Sequence, residues 1–443
     1  MGKTLEQQIR EMEPSLSVYF DEIHYTPLQT KKAEIPSDLA FYNEMGGFAN
    51  GGKEYFVLQN DTPTPWINVI ANKKFGCLIS NTMSGFTYAY NSQKFKITTW
   101  SNDMVSDPPS EILLINDQKF VPTAARHGLG YSIFTAETED FEIKITVFVA
   151  QDEPIKYYYL DIKNCNDSNQ TIDLEMITKL VLGDSEERTC RHLLSNLNEE
   201  ENRLYFRNVY NANFRDYHAF LSSTEKIVKV NTDKPTAKSI KIAFDVPAQS
   251  SKKMAFMIGC QKTGEQIPTH SLADIQREYE AVCNYWNKKL SVIQVTTPDE
   301  SFNFAINTWY LYQTYAARLY ARAGFYQVGG AFGFRDQLQD SMSILYSDPQ
   351  LARNQILLHA AHQFPEGDVL HWWHEDLMQG SRTTFSDDYL WLVYVSFEYA
   401  YHTGDYAILD EIVPYVQAAQ LKENESEHLV NYVVVGNDDN IIA

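Results

Sequence analysis

The sequence predicts a multidomain β-plus-α protein: a large N-terminal β-sandwich followed by a domain of paired helices. Three observations carry this. Apolar and polar residues alternate with period two in many short runs between about residues 15 and 265, which means strands with one face buried and one solvated. Turn clusters separate these runs with no helical pattern between them, favouring a sandwich over a βαβ fold. Near Thr269 the apolar spacing changes to 3–4 residues.

The clearest strands are 141–149, 171–176 and 240–246. The turns fall at Asn50-Gly51-Gly52, Asn60-Asp61, Asp107-Pro108-Pro109, 164–169 and 247–251, all rich in residues that favour tight backbone bends. Ser271 can cap a helix whose apolar stripe is Ile275, Tyr279, Val282, Trp286 and Leu290. A strand-like linker, 291–297, follows. Pro298 then opens a helix with Phe302, Ile306, Trp309, Tyr312 and Tyr315 on one stripe. Further helices are predicted at 337–346, 349–364, 387–402 and 406–419, and paired helices of this kind build a bundle, a solenoid or an α/α barrel. The stretch 421–443, with its apolar run 429–435, does not continue the helical period. The implied division is a sandwich over 1–268, a helical linker over 269–297 and helical hairpins over 298–443.

Composition bounds the function. The 443 residues hold 37 Lys+Arg against 58 Asp+Glu, a net charge of −21. That argues against a nucleic-acid binder or a protein of anionic membrane surfaces. With 44% hydrophobic residues, 28 Tyr and 24 Phe, the chain has ample material for packed cores. The N-terminus lacks the apolar core of a signal peptide, Glu6 spoils a myristoylation motif, and no apolar run reaches about 18 residues. The five cysteines, at 77, 165, 190, 260 and 283, show no CxxC spacing. They read as reduced thiols of a cytoplasmic protein.

The chemistry concentrates in 326–388. Three glycines, Gly329, Gly330 and Gly333, precede Arg335-Asp336 and Asp340. Next come Asp368, His371, Trp372, Trp373 and His374, and then Arg382-Thr383 and Asp387-Asp388. Carboxylates accept paired hydrogen bonds from vicinal hydroxyls, arginine donates in a fork, and tryptophan covers the C–H face of a sugar ring. Blander readings stand beside this one. Asp387-Asp388 can cap a helix, Arg335-Asp336 can be a local ion pair, and either tryptophan can be core. His371 and His374 with Glu375 and Asp376 fit a zinc motif poorly, so no metal is expected.

The segments 334–340, 355–364, 366–374 and 382–388 resemble glycoside hydrolase family 94, as do Gly46-Gly47-Phe48, 64–72, 100–103 and 105–109. The resemblance runs to about residue 416. It implies an N-terminal β-supersandwich, a helical linker and an (α/α)6 barrel, here incomplete. It also implies inverting phosphorolysis of a β-linked gluco-oligosaccharide, with inorganic phosphate as co-substrate and no cofactor. The residues listed above would then be substrate-binding, in a protein that is often a homodimer. The family's general acid lies in a Trp-Asn-Asp-Gly-type motif beyond the Arg-Thr-x-x-Ser-Asp-Asp segment, and no such motif is present. The resemblance therefore implies a catalytic barrel cut short, with no catalytic acid in this chain and no activity from these residues alone. The alternative is a non-catalytic carbohydrate-binding or assembly module.

Overall fold

The computed structural model describes residues 25–58 and 62–436. The N-terminal segment, the Asn60-Asp61 turn and the last residues from 437 lie outside them. Ten strands form one antiparallel sheet. Its order is Gly46–Ala49, Glu54–Val57, Ala124–Gly128, Tyr131–Glu137, Phe141–Val149, Ile155–Asn164, Ser251–Lys262, Tyr217–Ser223, Arg203–Asn208 and Leu193–Asn198. A nine-stranded sheet is built on the long strand Gln170–Gly183, which pairs with Ala237–Val246, Glu111–Ile115 and Lys96–Thr98. The core between the sheets draws Ile145, Leu160 and Phe256 from the first and Ile172, Leu174 and Ile242 from the second. Period two does what the sequence requires: Phe141, Ile143 and Ile145 are buried while Glu142 and Lys144 are exposed. Each such side chain contributes about 1.5–3 kcal/mol on burial.

Helix α1, Leu272–Leu290, starts on a capping box in which Ser271 and Asp274 each bond the other's backbone N–H. It buries Ile275, Val282, Trp286 and Leu290. Gly130 sits against Trp286 at φ +86, and a Cβ there would lie 2.3 Å from the indole, so only glycine allows this approach of sandwich to helix. The linker 291–297 forms no strand. Side-chain amides take the place of a partner: Val295 N–H donates to Asn307 Oδ1 (2.8 Å) and Thr297 N–H to Asn303 Oδ1 (2.9 Å).

The chain is helical from Glu300 to Ala321, with Asp299 as the N-cap, but two stretches, Ala305–Trp309 and Thr314–Ala321, are π-helical. The wider turns rotate the predicted stripe out of phase. Tyr312 and Tyr315 are buried, whereas Phe302 is 47% exposed. Helices α2 (Phe334–Met342), α3 (Pro349–Ala360) and α4 (Asp388–Thr403) follow. They start or stop within a few residues of expectation. α4 exposes Leu390, Val393, Phe397 and Tyr401 along one face.

The expectation of helical hairpins alone after 298 is wrong. A four-stranded sheet runs Phe332–Gly333, Leu370–His374, Gln379–Thr383 and Glu427–Asn431, and Tyr415–Gln417 pairs with Val433–Val435. The sequence carried the signal, an aromatic run and a β-branched run flanking turns. The helix expected at 406–419 is a single 3-10 turn, Tyr406–Asp410, followed by a strand. Pro414 cannot donate within a helix and blocks its continuation.

Candidate functional site

The small sheet and the N-terminal ends of α2 and α4 gather most of the predicted site. α2 begins directly after Gly333, whose N–H donates to Gln337 Oε1 at 2.5 Å. A Cβ on Gly333 would lie 2.2 Å from Asp336 Oδ2, so glycine is what lets Asp336 fold back over the first turn. Asp336 is exposed and lies 3.3 Å from Arg318, whose Nε donates to Asp340 at 2.8 Å. Burial pushes the Asp340 carboxyl up, against the pull of Arg318. Arg335 donates to Asp387 at 2.9 Å and lies over the Trp391 ring at 5.2 Å. This pair clips the start of α2 to the start of α4.

Met378, in the left-handed region at φ +50, turns Leu370–His374 back into Gln379–Thr383. His371 Nδ1 donates to Asp388 Oδ2 at 2.7 Å. Asp388 is 1% exposed, and its second oxygen is buried without a hydrogen-bond partner. The bond to Asp388 holds the His371 imidazole above its ordinary value; partial burial opposes this, and the charges of Asp388, Asp336 and Glu427 add to it. The Phe385 ring meets the imidazole edge-on at 4.9 Å. Exposed Arg335 and Asp336, half-exposed His371 and the buried Asp388 behind it thus offer donors and acceptors beside aromatic surface. That combination can hold a polyhydroxylated ligand.

Four predicted residues lie inside the packing instead. A register irregularity between Leu370 and Trp372 leaves Trp373 pointing inward. Trp373 is 0% exposed, stacked on His362 at 4.1 Å and on Phe332 at 5.5 Å. His374 is buried against the sandwich, 3.0 Å from the Asn91 amide, and burial lowers its imidazole to about 4. Thr383 is buried in the ladder opposite Glu427. Arg382 is buried and spends its fork within the protein. It donates to Asp368 at 2.5 and 2.6 Å, to Glu366 at 3.2 Å and to the carbonyls of Ala418 and Ala419, and covers the Phe364 ring at 3.8 Å. Asp368 is therefore one half of a clamp rather than a free acceptor. Trp372 stays half-buried, edge-on to His374.

Arg335, Asp336, His371, Asp387 and Asp388 thus come together, and Arg318 ties Asp340 to them. Sequence reasoning missed Arg318, Glu366 and Trp391. Glu366 lay within a motif already singled out, and Trp391 sits one helical turn beyond Asp387. Arg318 lies on an unremarkable helix and gave no signal.

Two family models match the chain: "Glycosyl hydrolase 94, supersandwich domain" over residues 53–236, and "Glycosyl hydrolase 94 superfamily, catalytic domain" over residues 285–435. The chain is 33% identical, over 88% of its length, to the cyclic beta-(1,2)-glucan synthase NdvB of Rhizobium meliloti, of which it covers 16%. It is 23% identical, over 85% of its length, to the N,N'-diacetylchitobiose phosphorylase of Vibrio proteolyticus, of which it covers 57%. A solved structure described as a kojibiose phosphorylase from the human microbiome shares the fold. Its TM-score is 0.57 at 12% identity, with 82% of this chain and 58% of that one covered. The chain therefore spans little more than half the length of these phosphorylases and a small part of the synthase.

Proposed function

Because this chain belongs to glycoside hydrolase family 94, we propose that it forms the sugar-holding part of an inverting phosphorylase acting on a β-linked gluco-oligosaccharide. One observation carries the reading. The segment matched by the catalytic-domain model, 285–435, is the segment that brings Arg335, Asp336, His371 and Asp388 together. In the proposed reaction an oxygen of inorganic phosphate attacks the anomeric carbon as the glycosidic C–O bond breaks. A carboxylic acid gives its proton to the departing oxygen, and a β-glucoside yields an α-sugar 1-phosphate and a shortened sugar. No metal or organic cofactor takes part. Arg335 and Asp336 hold hydroxyls of the sugar whose bond is cut. His371, kept protonated further into the neutral range by Asp388, presents its ring to the same ligand.

The acid and most phosphate donors belong to a part of the catalytic domain outside these residues. We place the working protein in the cytoplasm, as a homodimer. The five thiols, none of them in a disulfide, fit a reducing compartment. The test is to assay sugar 1-phosphate release from a panel of β-linked glucobioses with phosphate, for the 443-residue chain and for the longer gene product. Turnover by the long form alone is the expected result. Ordinary turnover by the 443 residues would refute the assignment of the acid, and none by either form would refute the reaction.

The exposed apolar face of α4 specifically favours a second reading, a non-catalytic module whose role is assembly on another polypeptide. Sugar binding without turnover, in a stable complex with such a polypeptide, would select it.

A further inference from the structure

A second cleft lies between the opening strands of the sandwich and the helical run 300–321, with a volume of about 420 Å³. We propose that it binds a neutral oligosaccharide, at a site separate from the cluster around Asp388. The proposal goes beyond the phosphorylase reading, because it needs no turnover. The two places share no residue: this cleft is formed by parts of 43–67, His127 and 301–313.

The chemistry of the lining carries the inference. Phe48, Tyr55, Trp66, Trp309 and Tyr310 supply aromatic surface. None of the lining residues is Asp, Glu, Lys or Arg, in a chain whose net charge is −21. The one titratable imidazole, His127, is kept neutral. Its ring nitrogens are engaged by Ser132 Oγ and the Trp66 carbonyl, both at 2.9 Å, and burial lowers it to about 4. An anion would find no cation here and a cation no carboxylate. Another cavity, of about 430 Å³, shows the contrast: it carries Lys73, Lys74, Lys289, Asp152 and Asp348 on its walls.

The polar groups on the lining are neutral, and while Asn43, Tyr55, Ser301 and His127 are bonded within the protein, others are uncommitted. Among the described residues none pairs with the Trp66 indole N–H, the Gln313 amide or the Tyr310 hydroxyl. A saccharide answers this set directly, with C–H faces for the rings and hydroxyls that both donate and accept. The aromatic walls are also fixed in advance. The Trp309 indole donates to the Gly52 carbonyl at 2.7 Å, and Tyr55 meets Trp66 edge-on at 5.8 Å. These rings have little rotamer freedom left to lose on binding, whereas Tyr310 stands exposed at the mouth of the cleft. The volume falls within the roughly 300–1,000 Å³ of small-ligand sites.

The experiment is calorimetric titration of the 443-residue chain with a linear β-1,2-gluco-oligosaccharide and, separately, a laminari-oligosaccharide. Wild type, Tyr310→Ala, Gln313→Ala, Trp66→Ala and Asp336→Ala are compared, with circular dichroism to check folding. Tyr310 and Gln313 are exposed, so their variants fold even if Trp66→Ala does not. Saturable binding that survives Asp336→Ala and weakens about tenfold in Tyr310→Ala is expected for the loss of one ring contact. Binding lost in Asp336→Ala but intact in Tyr310→Ala and Gln313→Ala would place the sugar at the other cluster and overturn the proposal, leaving the phosphorylase reading untouched. No saturable binding would overturn it too, as would self-association that Tyr310→Ala abolishes, which would make the cleft an interface between two copies. Cleft binding in a family member whose complete form releases no sugar 1-phosphate would sink the phosphorylase reading and leave this one standing.

Discussion

Replacing Arg382 by alanine separates a structural clamp from a sugar-binding group. The side chain is 3% exposed and holds Asp368 through two short bonds. Charge-assisted bonds of this kind contribute about 1.5–3 kcal/mol. The Phe364 face beneath the guanidinium, at 3.8 Å, adds about 0.5–2 kcal/mol. Truncation also leaves Asp368, 19% exposed, without a counter-charge. Breaking one half of a largely buried pair typically costs about 3–5 kcal/mol in total. For a unit the size of the helical domain that lowers Tm by on the order of 10 °C.

The assay is thermal unfolding of Arg382→Ala, Asp368→Ala and the double variant, with sugar titration alongside. The double variant should recover much of the loss, because neither charge is then stranded, giving a coupling energy of about 2–3 kcal/mol. Arg382→Lys should not rescue, because an ammonium cannot reproduce the fork. If Arg382→Ala melts within about 0.5 kcal/mol of wild type yet loses sugar affinity, the residue faces the ligand and the clamp account is wrong.

Arg335→Ala should cost under about 1 kcal/mol of stability, since Arg335 and Asp387 are both about half exposed; a large drop in Tm would show the clip is structural. In a complete enzyme Asp336→Asn should lower kcat/KM about 100-fold or more, if its hydroxyl contact tightens in the transition state; unchanged kinetics would make it a mere partner of Arg318. The raised pKa of His371 means its pairing stabilises fully below the unfolded value of about 6.5 and fades as pH rises through the folded one. Asp388→Asn should therefore cost most in acid and least in base, and an NMR titration should show His371 falling; a pH-independent gap would contradict this. Phe397→Asp on the exposed face of α4 should cut aggregation with little change in Tm, and a collapse of the fold would show that the face is already covered.

The sandwich was legible because period two is a local property: each strand announces its own buried face. The helical linker was legible for a similar reason, since Ser271, Asp274 and the stripe to Leu290 encode cap and face together. The small sheet after 332 was not. Its strands are only two to five residues long, too short for a period to emerge, and they lie among motifs that invite a chemical reading. Among those motifs Trp373, Arg382 and His374 turn inward and spend their contacts within the protein. Aromatic and charged residues between helices are the material of a sugar site, but they are equally the material of a clamp. What separates the two is whether their donors and faces are already spent, and that depends on partners such as Asn91 and His362 that lie far away in sequence. Arg335 and Asp336 remained on the surface because α2 presents them in its first turn, and His371 because it falls at the register irregularity between Leu370 and Trp372.

The residues packed inside the small sheet also tie the helical domain to the sandwich. Asn91, on the sandwich, donates to the Gly330 carbonyl at 3.3 Å and to His374 Nδ1 at 3.0 Å, while Ser92 donates to the Ala321 carbonyl at 2.8 Å. Gly330, at φ +62, admits this contact because a Cβ would lie 2.3 Å from Asn91 Oδ1. The sandwich thus grips the glycine loop before Arg335-Asp336 and the hairpin that carries His371. His359, His362 and His374, each pushed down to about 4 by burial, surround or adjoin Trp373 as neutral rings. These three rings are neutral across the pH range in which His371 titrates, although the hairpin turn also carries Glu375 and Asp376, which burial pushes up against the pull of Arg322. Among these imidazoles a proton taken up as pH falls goes first to His371, held above its ordinary value, and not to the lowered rings that pack around the frame of Asn91, Gly330 and Trp373.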